Sequence, residues 1–147
     1  MITKKSKYAI KALIYLAKQD PKQPVLIETV SKDERIPKKF LEAILLDLRK
    51  AGILGSKKGK GGGYYLIKSP EDINMAEVLR LFDGPIALVP CVAHKYYEPC
   101  EECIDEITCP IREVFRVIRE QTVASLKENS FSELLNIEKK LTRYKKK

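Results

Sequence analysis

The sequence predicts a mainly α-helical chain with one small β-hairpin, a fold class that rests on three observations. Apolar residues recur at helical spacing in several separate stretches of the 147 residues. Two short apolar runs flank the glycine-rich loop GKGGG, as the strands of a hairpin would. Prolines, glycines and two capping-box patterns punctuate the chain where helices should start and stop.

The first helix is expected over 7–18, with Ala9, Leu13 and Leu16 on one stripe and Ile10 and Ile14 beside it. The stretch QDPKQP breaks it, and a short helix follows over 27–32. After a turn at DERIP, Pro37 opens the next helix, where its missing N–H costs little. That helix, 37–51, buries Leu41, Ile44, Leu45 and Leu48 at i, i+3, i+4 and i+7 and ends at Gly52. Its opposite face carries Lys38, Lys39, Glu42 and Ala43. ILGSKK and YYLIK read as the strands, joined through Gly59 to Gly63, where four glycines in five residues permit a tight reversal.

Asn74, with Glu77 three residues on, starts the helix containing VLRLF, and DGP closes it. Pro110 opens a long helix reaching Lys127, with Ile111, Val114, Phe115 and Ile118 along one side. Ser130 and Glu133 cap a last helix carrying Phe131, Leu134, Leu135 and Leu141, and the tail RYKKK is expected to fray. Neither an internal repeat nor a low-complexity linker is present.

Composition narrows the function. The net charge is +8, and residues 1–68 hold 16 Lys/Arg against 6 Asp/Glu, whereas residues 69–147 hold 12 against 14. Such a one-sided excess attracts phosphate backbones. No apolar run is long enough to span a membrane, and the opening MITKKSKYAI lacks the apolar centre of a signal peptide, so a cytoplasmic location is expected.

Helix, short helix, turn, helix and then a glycine-tipped hairpin is the order of a winged helix-turn-helix, whose helix after the turn enters the major groove. The candidate base-facing end offers Lys38, Lys39, Phe40, Glu42 and Ala43. Lysine suits phosphate or guanine, and a glutamate can accept from cytosine N4. Lys57, Lys58 and Lys60 flank the wing glycines, suited to a phosphate backbone or the minor groove. GKGGG is a poor match to a nucleotide-binding loop, which needs G-x-x-x-x-G-K-[ST] between a strand and a helix.

All four cysteines, Cys91, Cys100, Cys103 and Cys109, fall within nineteen residues as C-x8-C-x2-C-x5-C, together with the chain's only histidine, His94. Four thiolates beside Glu98, Glu101, Glu102, Asp105 and Glu106 repel one another unless a cation holds them. Soft thiolate ligands suit an iron–sulfur cluster or zinc. Zinc sites commonly pair two C-x2-4-C knuckles, and only Cys100 and Cys103 form one here. Free or disulfide-forming thiols are the third reading. A small redox protein using Cys100-x2-Cys103 as a dithiol is the competing class, but no thioredoxin-like βαβ pattern surrounds that pair.

KYAIKALIYLA, IPKKFLEAILLDLRKAGILGSKKGKGGGYYLIKSPEDI and EVLRLFDGPI closely resemble the Rrf-two family of bacterial winged-helix regulators, which includes IscR-, NsrR-, RirA- and CymR-like proteins. The resemblance spans nearly the whole chain and implies a homodimer bound to a palindromic operator, with the long C-terminal helix as the dimerisation helix. It places operator contacts on Pro37, Lys39, Phe40, Glu42, Ala43, Arg49 and Lys58, and puts Ala43 where some members carry a glutamine. It implies a 2Fe–2S or 4Fe–4S cluster on Cys91, Cys103 and Cys109, with Cys100 an additional cysteine. Some members add a carboxylate from the N-terminal helix of the partner subunit; the matching residue here is Lys7, which leaves Cys100 or His94 as a replacement. The expected organisation is therefore 1–83 as the winged helix-turn-helix domain and 84–147 as the cysteine-rich loop and dimerisation helices. A repressor that senses redox state, nitric oxide or iron follows. The alternative is a cluster-free thiol-switched or zinc-containing regulator.

Overall fold

Thr3 begins the first helix: its hydroxyl accepts the Ser6 N–H at 3.2 Å, so α1 (Lys4–Ala17) starts a turn ahead of its apolar stripe. The computed structural model describes residues 2–146. The remaining elements are α2 (Ile27–Glu34), α3 (Lys38–Lys50), β1 (Leu54–Lys57), β2 (Gly63–Leu66), α4 (Met75–Asp83), α5 (Pro110–Glu128) and α6 (Phe131–Lys145). Two single 3-10 turns, Pro70–Asp72 and Pro90–Val92, lie in the connections. Pro37 is the N-cap of α3 rather than its first residue, so the helix starts one residue later than the sequence suggested. The predicted frayed tail is instead ordered into α6 as far as Lys145.

Both capping boxes form. Asn74 accepts from the Glu77 N–H at 3.0 Å, and Ser130 accepts from the Glu133 N–H at 3.2 Å. The two boxes also lie against each other. The Phe131 N–H donates to the Ile73 carbonyl at 2.9 Å and the Met75 N–H to the Asn129 carbonyl at 3.2 Å. This stitch returns the chain to its first half and buries Phe131 completely.

The core collects Leu13 and Leu16 of α1, Leu41, Ile44, Leu45 and Leu48 of α3, then Val30, Ile36, Ile53, Leu54, Ile73 and Phe131. Truncating Phe131 to alanine would remove an aromatic ring from its centre, a change that typically costs about 3–5 kcal/mol. Two ion pairs fix the helices around this core. Lys5 reaches Asp47 of α3 at 2.8 Å, and Lys11 lies 3.4 Å from the Glu34 carboxylate at the end of α2 while also donating to the Glu34 backbone carbonyl at 2.5 Å.

The hairpin is antiparallel, pairing Leu54 with Leu66 and Lys57 with Gly63. The Tyr65 ring lies over its cross-strand partner Gly55 so closely that a Cβ there would fall 2.5 Å from it. A bridge outside the hairpin extends the sheet. Val25 and Tyr64 exchange both backbone hydrogen bonds at 2.8 Å, so the segment before α2 anchors the base of the wing.

α5 is different in kind, because none of its apolar residues is buried. Ile111 is 65% exposed, Val114 57% and Ile118 38%. Leu141, placed on the apolar stripe of α6 by its spacing, is 64% exposed because that end of the helix runs past the core. No helix among the described residues is long and apolar enough to cross a membrane.

Candidate nucleic-acid interface and cysteine loop

The turn between α2 and α3 sets the candidate interface. Arg35 adopts a left-handed conformation (φ 53°), the Ile36 N–H donates to the Ser31 carbonyl at 3.0 Å, and the Ser31 hydroxyl donates to the Ile36 carbonyl at 2.6 Å. With Ile36 buried behind the turn, Pro37, Lys38, Lys39, Phe40, Glu42 and Ala43 are all exposed, as is Arg49 at the far end of α3.

The first turn of α3 carries two lysines and no acid. The positive end of a helix dipole disfavours cations, so this placement weakens the isolated helix and suits an anion brought from outside. One of the two is partly neutralised: Lys38 lies 2.6 Å from Glu28 of α2. That contact holds the Glu28 carboxyl below its ordinary range and the Lys38 ammonium above its own. Lys39 has no carboxylate partner among the described residues. Phe40 stands edge-on to Tyr8, with ring centroids 6.3 Å apart, which ties the exposed face of α3 to α1.

Lys57 ends β1, and Lys58 and Lys60 occupy the turn, all three exposed. Gly59 and Gly61 hold positive φ with open space around their Cα atoms, so the tip presents backbone and lysine and little else. The structure thus sorts the basic half of the chain. Lys5, Lys11, Lys18, Lys38 and Lys68 each contact a carboxylate, and among the described residues the wing lysines do not. Charge counting could not separate them, and it missed Glu28 and Val25 altogether.

The cysteines follow α4, which Gly84 ends at φ 82°. Cys91 sits half-buried in the 3-10 turn Pro90–Val92, beside the buried Val92 and Ala93. Cys100 is exposed, Cys103 and Cys109 are half-buried, and all four are free thiols. The Cys103 N–H donates to the Cys100 carbonyl at 3.2 Å, closing a turn between them. Desolvation raises the Cys103 thiol above its ordinary pKa, and the neighbouring Cys109 thiol and the charge of Cys100 add to the shift. Cys109 is the N-cap of α5: its sulfur accepts the Arg112 N–H at 3.4 Å. The Tyr97 hydroxyl donates to the Glu106 carboxylate, which raises the Tyr97 pKa and joins the two sides of the loop there.

In kind, these donors fit a thiophilic metal or cluster: the soft thiols of Cys100 and Cys109 both lie within electrostatic reach of Cys103, with a fourth thiol, Cys91, on an anchored turn. Among the described residues, no three His, Cys, Asp or Glu side chains are arranged as a complete ligand set. His94 is exposed and lines a cavity with Arg80, Lys95, Arg119 and Lys127. Lys7 is exposed on α1.

Comparison with known proteins agrees with this architecture. The profile of the Rrf2 family, described as an iron-dependent transcriptional regulator, matches residues 2–137. The chain is 50% identical over 118 residues to an rrf2-like HTH-type regulator of Rhodobacter capsulatus, covering 78% of this chain and 79% of the other. It is 29% identical to the HTH-type transcriptional regulator IscR of Photorhabdus laumondii, over 92% of this chain and 79% of that one. The structure of CymR, the global cysteine regulator of B. subtilis, superposes with a TM-score of 0.77 at 26% identity, covering 93% of this chain and 97% of CymR.

Proposed function

The chain belongs to the Rrf2 family of transcriptional regulators, not enzymes, and on that premise we propose that it is a cytoplasmic, homodimeric repressor whose operator affinity is set by an iron–sulfur cluster in its cysteine loop. In this reading residues 1–83 meet a palindromic operator, and 84–147 supply the cysteine loop and the dimer helices. The first turn of α3 presents Lys39, Phe40, Glu42 and Ala43 to base edges, with Lys38 and Arg49 at its margins. Lys57, Lys58 and Lys60 hold the phosphate backbone. The exposed Ile111, Val114 and Ile118 of α5 give two copies a self-complementary apolar seam, as a two-fold interface requires.

The observation that carries the proposal is the double position of Cys109. It is a candidate ligand and also the residue whose sulfur caps α5. Cys91, Cys103 and Cys109 would hold the cluster, with Cys100 or His94 as the further ligand. When bound, the cluster supplies a redox- and nitric-oxide-sensitive centre. The chain's own part is mechanical. A ligand set pulled together around Cys109 changes the cap and entry angle of α5, and α5 packs on α4, which packs on α1. The recognition helices of a dimer would move with it.

A second reading is favoured by one observation, the neighbouring free thiols of Cys103 and Cys109, close enough for Cys109 to help raise the Cys103 thiol above its ordinary pKa. Two adjacent free thiols can form a disulfide, and closing one at Cys109 would disturb the same cap without any metal. One experiment tests both readings. Protein purified without oxygen is examined by absorption spectroscopy and by iron and sulfide analysis, then titrated on an operator in loaded, stripped and oxidised forms. A brown protein whose stripped form binds differently supports the cluster. A colourless protein that responds to oxidant in the wild type, but not as Cys103→Ser, supports the thiol switch. Equal affinity in every form refutes both.

A further inference from the structure

Arg119 has no role in the DNA-binding face or in the cysteine loop. It lies on the inward side of α5 with its side chain 9% exposed, and its buried Nε has no hydrogen-bond partner among the described residues. A terminal nitrogen is 3.5 Å from Glu120, but Arg116 already holds that carboxylate at 2.6 Å. A buried guanidinium nitrogen left unpaired is costly, and native proteins rarely keep one without a partner.

Arg119 lines a cavity of about 670 Å³, within the size range of small-molecule sites. Arg80 of α4, Lys95 of the loop and Lys127 of α5 line it too, with His94 and Tyr96, and no Asp or Glu belongs to its wall. Among the described residues, none of Arg80, Lys95 and Lys127 has a carboxylate within 4 Å. Four cations thus converge on one cavity without a counter-charge in its wall. The loop is also held in an uncommon shape there: Tyr96 takes φ 62°, rare for an aromatic residue, and the Lys95 ammonium lies 5.2 Å from its ring centre. An apolar cavity of about 310 Å³ shares Gly84, Pro85, Ile86 and Arg119 with the first and leaves room for the uncharged part of a ligand; its one carboxylate, Asp83, already accepts hydrogen bonds from the Thr3 N–H and hydroxyl.

We propose that this cavity binds a small polyvalent oxyanion, a di- or tricarboxylate or a phosphate monoester, with Arg119 as its buried anchor. A guanidinium presents paired donors that match a carboxylate or a phosphate, and the lysines add charge at the open side. A free small anion fits better than a DNA phosphate, because Arg119 is buried on the inward side of α5 and the recognition helix does not line the cavity. The cavity joins α4 to α5, so its occupant bridges the DNA-binding helices and the proposed dimer helix. The site rests on these residues alone and is independent of what the cysteines hold.

The test is calorimetric titration of the full chain with citrate, and separately with inorganic phosphate, at one fixed ionic strength. A single saturable site per chain is expected for at least one of them. Citrate alone assigns a carboxylate ligand, and phosphate alone assigns a phosphate ester. Arg119→Gln, Lys95→Gln and Lys127→Gln should each weaken binding at least tenfold, whereas Lys58→Ala in the wing should leave it unchanged. The two lysines are exposed, so their variants carry the test if Arg119→Gln does not fold. No saturable binding of either anion overturns the proposal. So does unchanged affinity in both lysine variants, or an equal loss in Lys58→Ala, which would move the anion to the DNA face.

Discussion

Replacing Gly63 by alanine tests whether the wing is anchored where the structure places it. A Cβ at that position would sit 2.3 Å from the Val25 carbonyl oxygen and 2.4 Å from its carbon, and the residue holds φ 142°. Backbone atoms cannot swing aside as a side-chain tip can, so β2 must move off the segment before α2. The strained conformation costs about 1–3 kcal/mol. The two 2.8 Å bonds between Val25 and Tyr64 are then broken or stretched, at about 0.5–1.5 kcal/mol each. Together these give a loss of about 2–6 kcal/mol. Gly61 is the control: its φ is 74° but nothing lies within 4 Å of its added Cβ, so only the conformational cost applies, about 1–2 kcal/mol. Thermal denaturation at equal protein concentration reads the difference, because about 2–4 °C is lost per kcal/mol in a chain near this size. Gly63→Ala should melt well below Gly61→Ala and should also bind operator more weakly, its lysines having lost their base. Equal melting temperatures for the two variants would refute the anchoring.

Lys58→Ala should weaken binding to every duplex alike and lower the salt slope by about one unit, measured by fluorescence anisotropy across salt concentrations; an unchanged slope would remove the wing from the phosphate backbone. Glu28→Gln should do the reverse. It frees Lys38 from its ion pair at 2.6 Å, so non-specific affinity should rise in the same assay, and a fall would show that the pair positions α3 instead. Glu42→Ala should keep non-specific affinity while relaxing preference at one base pair per half-site by about 1–3 kcal/mol, read from a randomised operator library. Ile111→Glu should split the dimer: at 65% exposure the side chain has about 1–2 kcal/mol of burial still to gain, counted twice across a two-fold axis. Sedimentation should then show a dimer dissociation constant raised at least about thirtyfold, and an unshifted dimer would place the interface elsewhere.

The sequence by itself determined the local elements and the family, because each is written in short-range chemistry. Helical spacing identifies Leu41, Ile44, Leu45 and Leu48, capping boxes mark Asn74 and Ser130, and glycines mark the wing, all without knowledge of distant contacts. Clustering alone drew attention to the four cysteines. Tertiary structure decided what depends on residues far apart in the chain. It tied Lys38 to Glu28 and Lys5 to Asp47, which sequence charge counts had left among the free cations. It joined Val25 to Tyr64 beneath the wing and brought Phe131 into a core made mostly of the first half. It left Ile111 and Val114 exposed although their spacing matches that of a buried stripe, because periodicity records that a face is apolar and not what covers it. It also gathered Arg80, Lys95, Arg119 and Lys127 around one cavity. These four are scattered over nearly fifty positions and share no motif, so only the packing of α4, the loop and α5 makes them neighbours.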